Sequence, residues 1–204
     1  VAGRAHLSLA PELGGSILRY WWQESGEVID WLRPAHPGAD VPNPLDTACF
    51  PLVPFSNRIR DGHFRFRNHS IRLPRNFGDH PHAIHGHGWQ APWRLADWAG
   101  SEALLEYRHE AGAWPWSYLA RQRFSLDEDG LTIALELENT SPSEMPAGLG
   151  LHPYFPRTEG ATMQADVDAM WQVDHEVMPL CRTEPSGATR SFSASSMSLA
   201  SAST

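Results

Sequence analysis

The chain has 204 residues, of which 41% are hydrophobic and 20% are charged, and its net charge is −8. This length and composition predict one domain, or most of one larger all-β domain, with enough apolar side chains for a packed core. All 16 basic residues are arginines. They form no basic run or stripe, which argues against a nucleic-acid-binding protein.

Cysteine usage and hydropathy argue against two further classes of protein. Cys49 and Cys181 are too few for a disulfide framework and their spacing matches no zinc motif, so we expect two reduced thiols. The sequence contains no signal peptide pattern and no apolar run long enough to cross a bilayer. We therefore expect a cytoplasmic protein with no membrane partner.

Short alternating segments dominate the sequence, and helical periodicity is nearly absent. Gly, Pro and Asn separate these segments at short intervals, as is typical of a β-sandwich or a β-barrel. In chain order the predicted strands are HLSLA (6–10), SILRYWW (16–22), HFRFR (63–67), SIRLP (70–74), WRLADW (93–98) and ALLEYRH (103–109). The four prolines within residues 42–54 predict an ordered, irregular loop there rather than a strand.

The clearest strand signal lies in residues 118–139. Residues 118–126 and 131–137 alternate between more apolar and more polar side chains. The segment Asp127–Gly130 between them has the composition of a turn. This pattern predicts an antiparallel hairpin with one buried and one wet face.

The composition changes near the C-terminus. Residues 186–204 are rich in serine and alanine and contain no acidic side chain. Such a composition with weak strand alternation is typical of a flexible segment. We therefore predict a partial β-sandwich domain over residues 1–180 and a poorly ordered tail over residues 181–204.

Four histidines fall within the segment HPHAIHGHGW, at positions 80, 82, 85 and 87. His80 and His82, or His85 and His87, would share one face of an extended chain, as metal-binding imidazole pairs do. A cupin-like metal site would also need a later histidine and a carboxylate. Because HxH pairs arise easily in a chain with 11 histidines, purely structural roles are the simpler interpretation of this pattern alone.

A second segment, GLGLHPYFP, carries a histidine suited to proton transfer. His152 is predicted at the end of a strand, where functional sites are often built. Tyr154 and Phe155 follow it, and aromatic faces suit the C–H surfaces of sugars. A satisfied histidine in the core is the alternative interpretation.

A third segment, FPLVPFSNRI, places polar side chains after a proline-bounded apolar loop. These are Asn57 and Arg58. The guanidinium of arginine offers fixed hydrogen-bond donors for hydroxyl or carboxylate oxygens. A surface ion pair is the alternative role for Arg58.

Together, these motifs resemble those of the aldose 1-epimerase (galactose mutarotase) family, particularly its bacterial mutarotase-like branch. PLVPFSNRI, RLPRNFGDHPHAIHGHGW, WPW and GLGLHPYFP occur in the family's order, and the resemblance runs from about Leu7 to about Pro179. It implies an all-β fold, an antiparallel β-supersandwich that is incomplete at its C-terminal end. It also implies an isomerase that interconverts the α and β anomers of a free hexose by acid–base ring opening, with no cofactor and no metal.

The resemblance also implies roles for individual residues. His152 would be the general acid that protonates the ring oxygen, and His85 would donate a hydrogen bond near that oxygen. The substrate-binding candidates are Asn57, Arg58, Trp89 and Tyr154. Trp89 would stack on the sugar or, as we prefer, form a wall of the pocket.

The neighbours of His85 receive supporting roles. His87 would support the site without touching the sugar, and His80 and His82 would be structural. Gly86 and Gly88 would permit a close approach of the backbone.

The family's general base is a glutamate near the C-terminus, and a later aspartate binds the sugar. Neither has a counterpart in this sequence, since the pattern fades after MWQVDHEVMP, residues 170–179. The carboxylates of Glu176 and Glu184 are available but stand outside the family's base motif. The general base is therefore unassigned, and we expect a truncated chain with impaired activity.

Three alternatives remain open. The first is a non-catalytic carbohydrate-binding domain of the same fold. The second is a hexose-6-phosphate 1-epimerase, in which Arg72 and Arg75 would contact the phosphate. The third is a cupin-like metalloprotein.

Overall fold

The computed structural model describes residues 1–36, 43–165, 169–183 and 190–193. The chain divides into two compact units, Val1–Pro156 and Arg157–Thr204. In the described ranges, no helix has the length and apolar character that crossing a bilayer requires.

The described part of the first unit is built from thirteen strands and three short 3₁₀ turns. The strands are β1 (Ala5–Ala10), β2 (Ser16–Glu24), β3 (Glu27–Asp30), β4 (Cys49–Leu52), β5 (Arg58–Ile59), β6 (His63–Phe66), β7 (His69–Arg72), β8 (Ala83–Ile84), β9 (Arg94–Ala99), β10 (Glu102–His109), β11 (Tyr118–Leu126), β12 (Leu131–Asn139) and β13 (Gly150–Pro153). The 3₁₀ turns are Pro44–Asp46, Arg60–Gly62 and Gly88–Gln90.

Two sheets form the layers of a sandwich. The first has the strand order β1-β2-β4-β13, with β3 pairing alongside β2, and the second has the order β12-β11-β10-β9. All strand pairs in both sheets are antiparallel. The small pairs β5–β8 and β6–β7 complete the unit. The predicted all-β, antiparallel sandwich is thus confirmed.

The core of this unit contains side chains from both sheets. Ile17 of β2 and Cys49 of β4 belong to the same buried cluster as Leu105, Tyr118 and Phe124 of the second sheet. Alternate residues of a strand face the same side, which places these side chains on the inner faces of the two layers. Burying each large apolar side chain contributes roughly 1.5–3 kcal/mol to stability, so this cluster is a main source of the stability of the fold.

The hairpin predicted over residues 118–139 is confirmed as β11 and β12. The register pairs Leu126 with Leu131. The carboxylate of Asp127 accepts hydrogen bonds from the backbone N–H groups of Asp129 and Gly130 at 2.9 and 2.8 Å. This side chain satisfies backbone donors that a tight turn would otherwise leave unpaired.

The prediction of an irregular loop over residues 42–54 is wrong for Cys49–Leu52, which form the inner strand β4. The prediction relied on proline, which cannot donate a backbone hydrogen bond to a sheet. β4 pairs with β13 over four residues but with β2 only between Ile17 and Cys49. On the side facing β2 there is thus no continuous ladder of hydrogen bonds, and the missing N–H of Pro51 interrupts none there.

The second unit contains two strand pairs in its described residues. β15 (Met170–Val173) pairs with β16 (Pro179–Thr183), and β14 (Thr162–Ala165) pairs with β17 (Arg190–Ser193). In the turn between β15 and β16, Asp174 Oδ1 accepts from the backbone N–H groups of Glu176 and Met178, each at 2.9 Å.

The predicted domain boundary lies within this second unit. The division after Pro156 is upstream of the boundary predicted between residues 180 and 181. Residues 181–183 complete β16 and residues 190–193 form β17, while residues 184–189 and 194–204 lie outside the described residues. The poorly ordered tail therefore stays a prediction. Cys49 is buried and Cys181 is exposed, and neither is in a disulfide in the structure.

Candidate active site

Two imidazoles from distant parts of the sequence meet beside the first sheet. His152 lies on β13 directly opposite Phe50 of β4, and their rings stack with centroids 4.8 Å apart. The ring of His85, which follows β8, lies 5.3 Å from the ring of His152 at an interplanar angle of 72°. The structure thus brings together the two histidines to which the sequence analysis gave catalytic roles.

The short pair β5–β8 places the other polar candidates beside His85. Arg58 pairs with Ile84 in this ladder, and the backbone N–H of His85 donates to the carbonyl of Asn57 at 2.8 Å. Asn57 and His85 both have left-handed backbone conformations, with φ of 61° and 60°. Asparagine tolerates this conformation better than most residues, which suits it to the turn entering β5.

The glycines of the HGHG segment allow the loop to lie against β4 and the residue that follows it. A Cβ atom added to Gly86 would lie 2.0 Å from the carbonyl oxygen of Val53, and one added to Gly88 would lie 2.2 Å from Val53 Cγ2. The backbone N–H groups of His87 and Gly88 both donate to that carbonyl at 3.1 Å. The predicted close backbone approach is confirmed at both glycines.

Burial leaves polar atoms of the site without partners. Among the described residues, His85 Nδ1, His152 Nδ1 and Arg58 Nε are buried and make no hydrogen bond. An unpaired buried donor or acceptor costs free energy, commonly about 1–3 kcal/mol. Such groups are rare in native proteins and are typical of functional sites, so this cluster is a candidate for ligand binding.

The electrostatic environment keeps both imidazoles neutral near pH 7. The pKa of His85 is lowered to about 3, mainly by burial and to a smaller extent by the neighbouring His152 and Arg58. The pKa of His152 is also lowered, mainly by burial and further by the charges of Arg33 and Arg58. A neutral imidazole has one donor and one acceptor nitrogen, so the pair can both give and accept hydrogen bonds.

Arg58 has no neutralising partner at its buried Nε in the described part of the chain. Burial lowers the pKa of its guanidinium, although arginine remains protonated in proteins. A half-buried cation beside two neutral imidazoles can donate hydrogen bonds to uncharged hydroxyl groups as well as to anions.

The aromatic walls of the site are formed by Trp89 and Tyr154. Trp89 is only 2% exposed, stacks on Phe50 with centroids 5.4 Å apart, and donates from Nε1 to the carbonyl of Gly86 at 3.2 Å. This burial agrees with the preferred wall role. The ring of Tyr154 lies 4.8 Å from that of His152. Sugar contact by either residue stays a prediction.

Two residues near the site escaped the sequence analysis. Phe50 contacts both His152 and Trp89. Phe50 was not predicted as part of the site because its segment was predicted to be a loop. The guanidinium of Arg33 lies 4.0 Å over the Tyr154 ring and donates to the carbonyls of Leu45 and Thr47 at 2.8 and 3.0 Å; no local sequence pattern indicated this position.

His87 lies in a different environment from His85. A hydrogen bond of 2.8 Å joins its Nε2 to the hydroxyl of Tyr118, and its ring is 4.1 Å from the ring of His109. Burial, followed by the effect of His109, lowers the pKa of His87 to about 4. These contacts connect His87 to the second sheet, and its predicted supporting role remains untested.

The first two histidines of the segment make structural contacts. His82 is 1% exposed, and its Nδ1 accepts from the backbone N–H of Asp61 at 3.1 Å. His80 Nδ1 accepts from the backbone N–H of His82 at 3.3 Å. Within the described ranges, no three His, Cys, Asp or Glu side chains are grouped as metal ligands would be.

The remaining candidates are not brought to the imidazole pair by any described contact. Arg72 and Arg75 are exposed, and no contact favours a phosphate site there. Glu176 belongs to the second unit, and Glu184 lies outside the described residues. No ion pair in the described part links His85 or His152 to a carboxylate.

Comparison with known proteins gives a consistent result. Residues 4–201 match the family described as Aldose 1-epimerase. The uncharacterized protein YphB of Escherichia coli K12 is 30% identical over 157 residues, which are 77% of this chain and 51% of that protein. The chain therefore spans about half the length of this curated relative.

Two solved structures share the fold. One, from Escherichia coli K12 and provisionally described as an aldose 1-epimerase, has a TM-score of 0.78 at 28% identity, covering 91% of this chain and 60% of that chain. The other, a galactose mutarotase-like protein from Clostridium acetobutylicum, has a TM-score of 0.73 at 22% identity, covering 92% of this chain and 61% of that chain.

Proposed function

Because the chain belongs to the aldose 1-epimerase family, we propose that it interconverts the α and β anomers of a free hexose. The observation that carries this proposal is the pair of half-buried imidazoles of His85 and His152, 5.3 Å apart and each with an unpaired Nδ1. A neutral imidazole offers one hydrogen-bond donor and one acceptor, and its imidazolium form is a proton donor. Ring opening needs a proton donor at the ring oxygen and an acceptor at the anomeric hydroxyl.

In the proposed reaction, His152 protonates the ring oxygen while the anomeric hydroxyl loses its proton to a base. The C1–O5 bond breaks and C1 becomes an aldehyde. Rotation about C1–C2 presents the other face of C1, and the reverse proton transfers close the ring as the opposite anomer. His85 donates a hydrogen bond near the ring oxygen, and the guanidinium of Arg58 donates to sugar hydroxyls.

The lowered pKa of His152 affects how this acid works. Its imidazolium form is a minority at pH 7 but is a stronger acid than an exposed histidine, and burial strengthens hydrogen bonds to the reacting oxygen. The base stays unassigned, because the glutamate that the family resemblance implies has not been placed and no described hydrogen bond or ion pair brings a carboxylate to either ring. We expect slow turnover for this reason.

The test is anomer exchange followed by proton NMR after fresh α-D-glucose or α-D-galactose is added to the purified chain. We expect acceleration over buffer that His152→Ala abolishes, because the ring oxygen loses its proton donor. His69→Ala is the matched control, since His69 is an exposed histidine on β7. An unchanged rate in the folded His152→Ala variant would rule out the acid role.

The lack of an assigned base favours a second function, sugar binding without turnover. In that case, resonances of Trp89 and the site histidines would shift on sugar titration. The anomers would then equilibrate no faster than in buffer.

A further inference from the structure

Asn76, in the loop between β7 and β8, binds the backbone on both sides of His85. Its Nδ2 donates to the carbonyls of Ile84 and Gly86, each at 2.7 Å. Its Oδ1 accepts from the backbone N–H of Ile84 at 2.8 Å. Both polar atoms of one amide side chain are therefore used on the two residues that flank His85.

The backbone at His85 needs such support. With φ of 60°, His85 is in the left-handed region, which costs an L-residue with a Cβ roughly 1–2 kcal/mol. Residues in such conformations persist where the surrounding structure determines them, and they cluster at functional sites. The Ile84 carbonyl belongs to the peptide that precedes His85, and the Gly86 carbonyl to the peptide that follows Gly86, so one amide holds the backbone before and after His85.

Only an amide matches this set of backbone groups. The site presents two carbonyl acceptors and one N–H donor, and an asparagine side chain offers two N–H donors and one carbonyl acceptor. An aspartate of the same shape would have no donor and would place its charge against two carbonyl oxygens. A longer side chain would have to shift the loop.

We propose that Asn76 is a positioning residue that holds the His85 imidazole opposite His152. This role in catalysis rests on the proposed function. The placement of the His85 ring, however, can be measured without any enzymatic activity. A displacement of about 1 Å in a catalytic group can reduce the rate by about 10²-fold.

The experiment compares Asn76→Asp with Asn139→Asp in the full chain. Asn139 is a matched control because its amide also bridges a backbone turn, donating to the carbonyl of Ser143 at 2.8 Å and accepting from the N–H of Ser141 at 2.9 Å. The first readout is the NMR cross-relaxation between the His85 and His152 rings. The second is kcat for anomer exchange.

We expect Asn76→Asp to lose the contact between the two rings and to lower kcat by about 10²-fold. Asn139→Asp should keep the contact and the rate, even if its thermal midpoint falls by a similar amount. Retained ring contact in Asn76→Asp would overturn the proposal. Equal loss of the contact in both variants would also overturn it, because the effect would then be global.

A second variant covers the case in which Asn76→Asp fails to fold. Asn76→Ser keeps one hydroxyl, which can satisfy one backbone partner, so ring contact and kcat should fall to intermediate values. An unchanged ring contact in this variant would also contradict the proposal. If the wild-type chain shows no anomer exchange, the proposed function fails, while the ring contact still decides the role of Asn76.

Discussion

At the scale of single residues, the backbone at His85 decides which histidine enters the site. In an extended strand His85 and His87 would share a face, but the left-handed φ of His85 breaks this alternation. His85 therefore lies against His152, whereas His87 contacts Tyr118 and His109. One imidazole thus serves the candidate active site while the other packs against the second sheet.

The buried histidines predict how stability depends on pH. The folded pKa of His85 is about 3 and that of His87 about 4, against an ordinary value of 6.5. Below pH 6.5 the unfolded chain takes up protons that the folded chain does not bind. The free energy of unfolding should therefore fall as the pH decreases from 6.5 towards 4, as measured by urea unfolding at several pH values.

The variant His87→Gln provides the comparison for this prediction. Glutamine cannot take up a proton, so one contribution to the pH dependence disappears and the decline should be shallower than in the wild type. His69→Gln, at an exposed position, is the control for the substitution itself. Parallel curves for wild type and His87→Gln would contradict the lowered pKa of His87.

Sequence patterns identified some residues of the candidate site better than others. The resemblance to a family nominated His85 and His152, and the structure places their rings together. The periodicity of the histidine segment could not separate His85 from its neighbours, because the left-handed backbone at His85 and Gly86 interrupts the alternation of side chains that an extended strand would have. Asn76 was not predicted for another reason: its hydrogen-bond partners are backbone groups, which no pattern of side chains indicates.

At the scale of structural elements, local alternation predicted the hairpin β11–β12 well because both strands and their turn are contiguous in sequence. β4 was missed because its place in the sheet depends on β13, about 100 residues away in the chain, as the pairing of Cys49 with Pro153 shows. Long-range pairing can override the low strand propensity of proline when few ladder bonds are lost.

The contact between the HGHG loop and the residue after β4 gives a prediction at this scale. Gly86→Ala should destabilise the fold because the added Cβ would meet the Val53 carbonyl at 2.0 Å and because φ is +72°. Gly100→Ala is the control, since Gly100 has φ of +59° with open space around it. The control measures only the cost of placing a residue with a Cβ in the left-handed conformation, roughly 1–2 kcal/mol.

We expect Gly86→Ala to lose a further ~1–3 kcal/mol in the free energy of unfolding, the usual cost of forcing atoms into a packed region. Urea unfolding of the two variants measures this difference. Equal losses would show that the loop can move away from Val53 without cost, and the close approach would then have no structural importance.

At the scale of the whole molecule, the candidate site and its support belong to one unit. His85, His152, Arg58 and Asn76 all lie within Val1–Pro156. The carboxylate that the family resemblance implies as the base stays unassigned in the described residues, and the chain spans 60% of the solved Escherichia coli relative. The site therefore has a candidate acid and candidate sugar-binding groups without an identified proton acceptor.

The lack of an identified proton acceptor predicts slow anomer exchange. Loss of one proton-transfer group commonly costs a factor of about 10²–10⁴, so anomer exchange by this chain should be slower by that factor than exchange by an active full-length galactose mutarotase. The measurement is the NMR exchange rate per active site at equal sugar concentration. Glu176→Gln should leave the slow rate unchanged, because water then accepts the proton. A rate equal to that of the full-length enzyme, lost in Glu176→Gln, would instead identify Glu176 as the base.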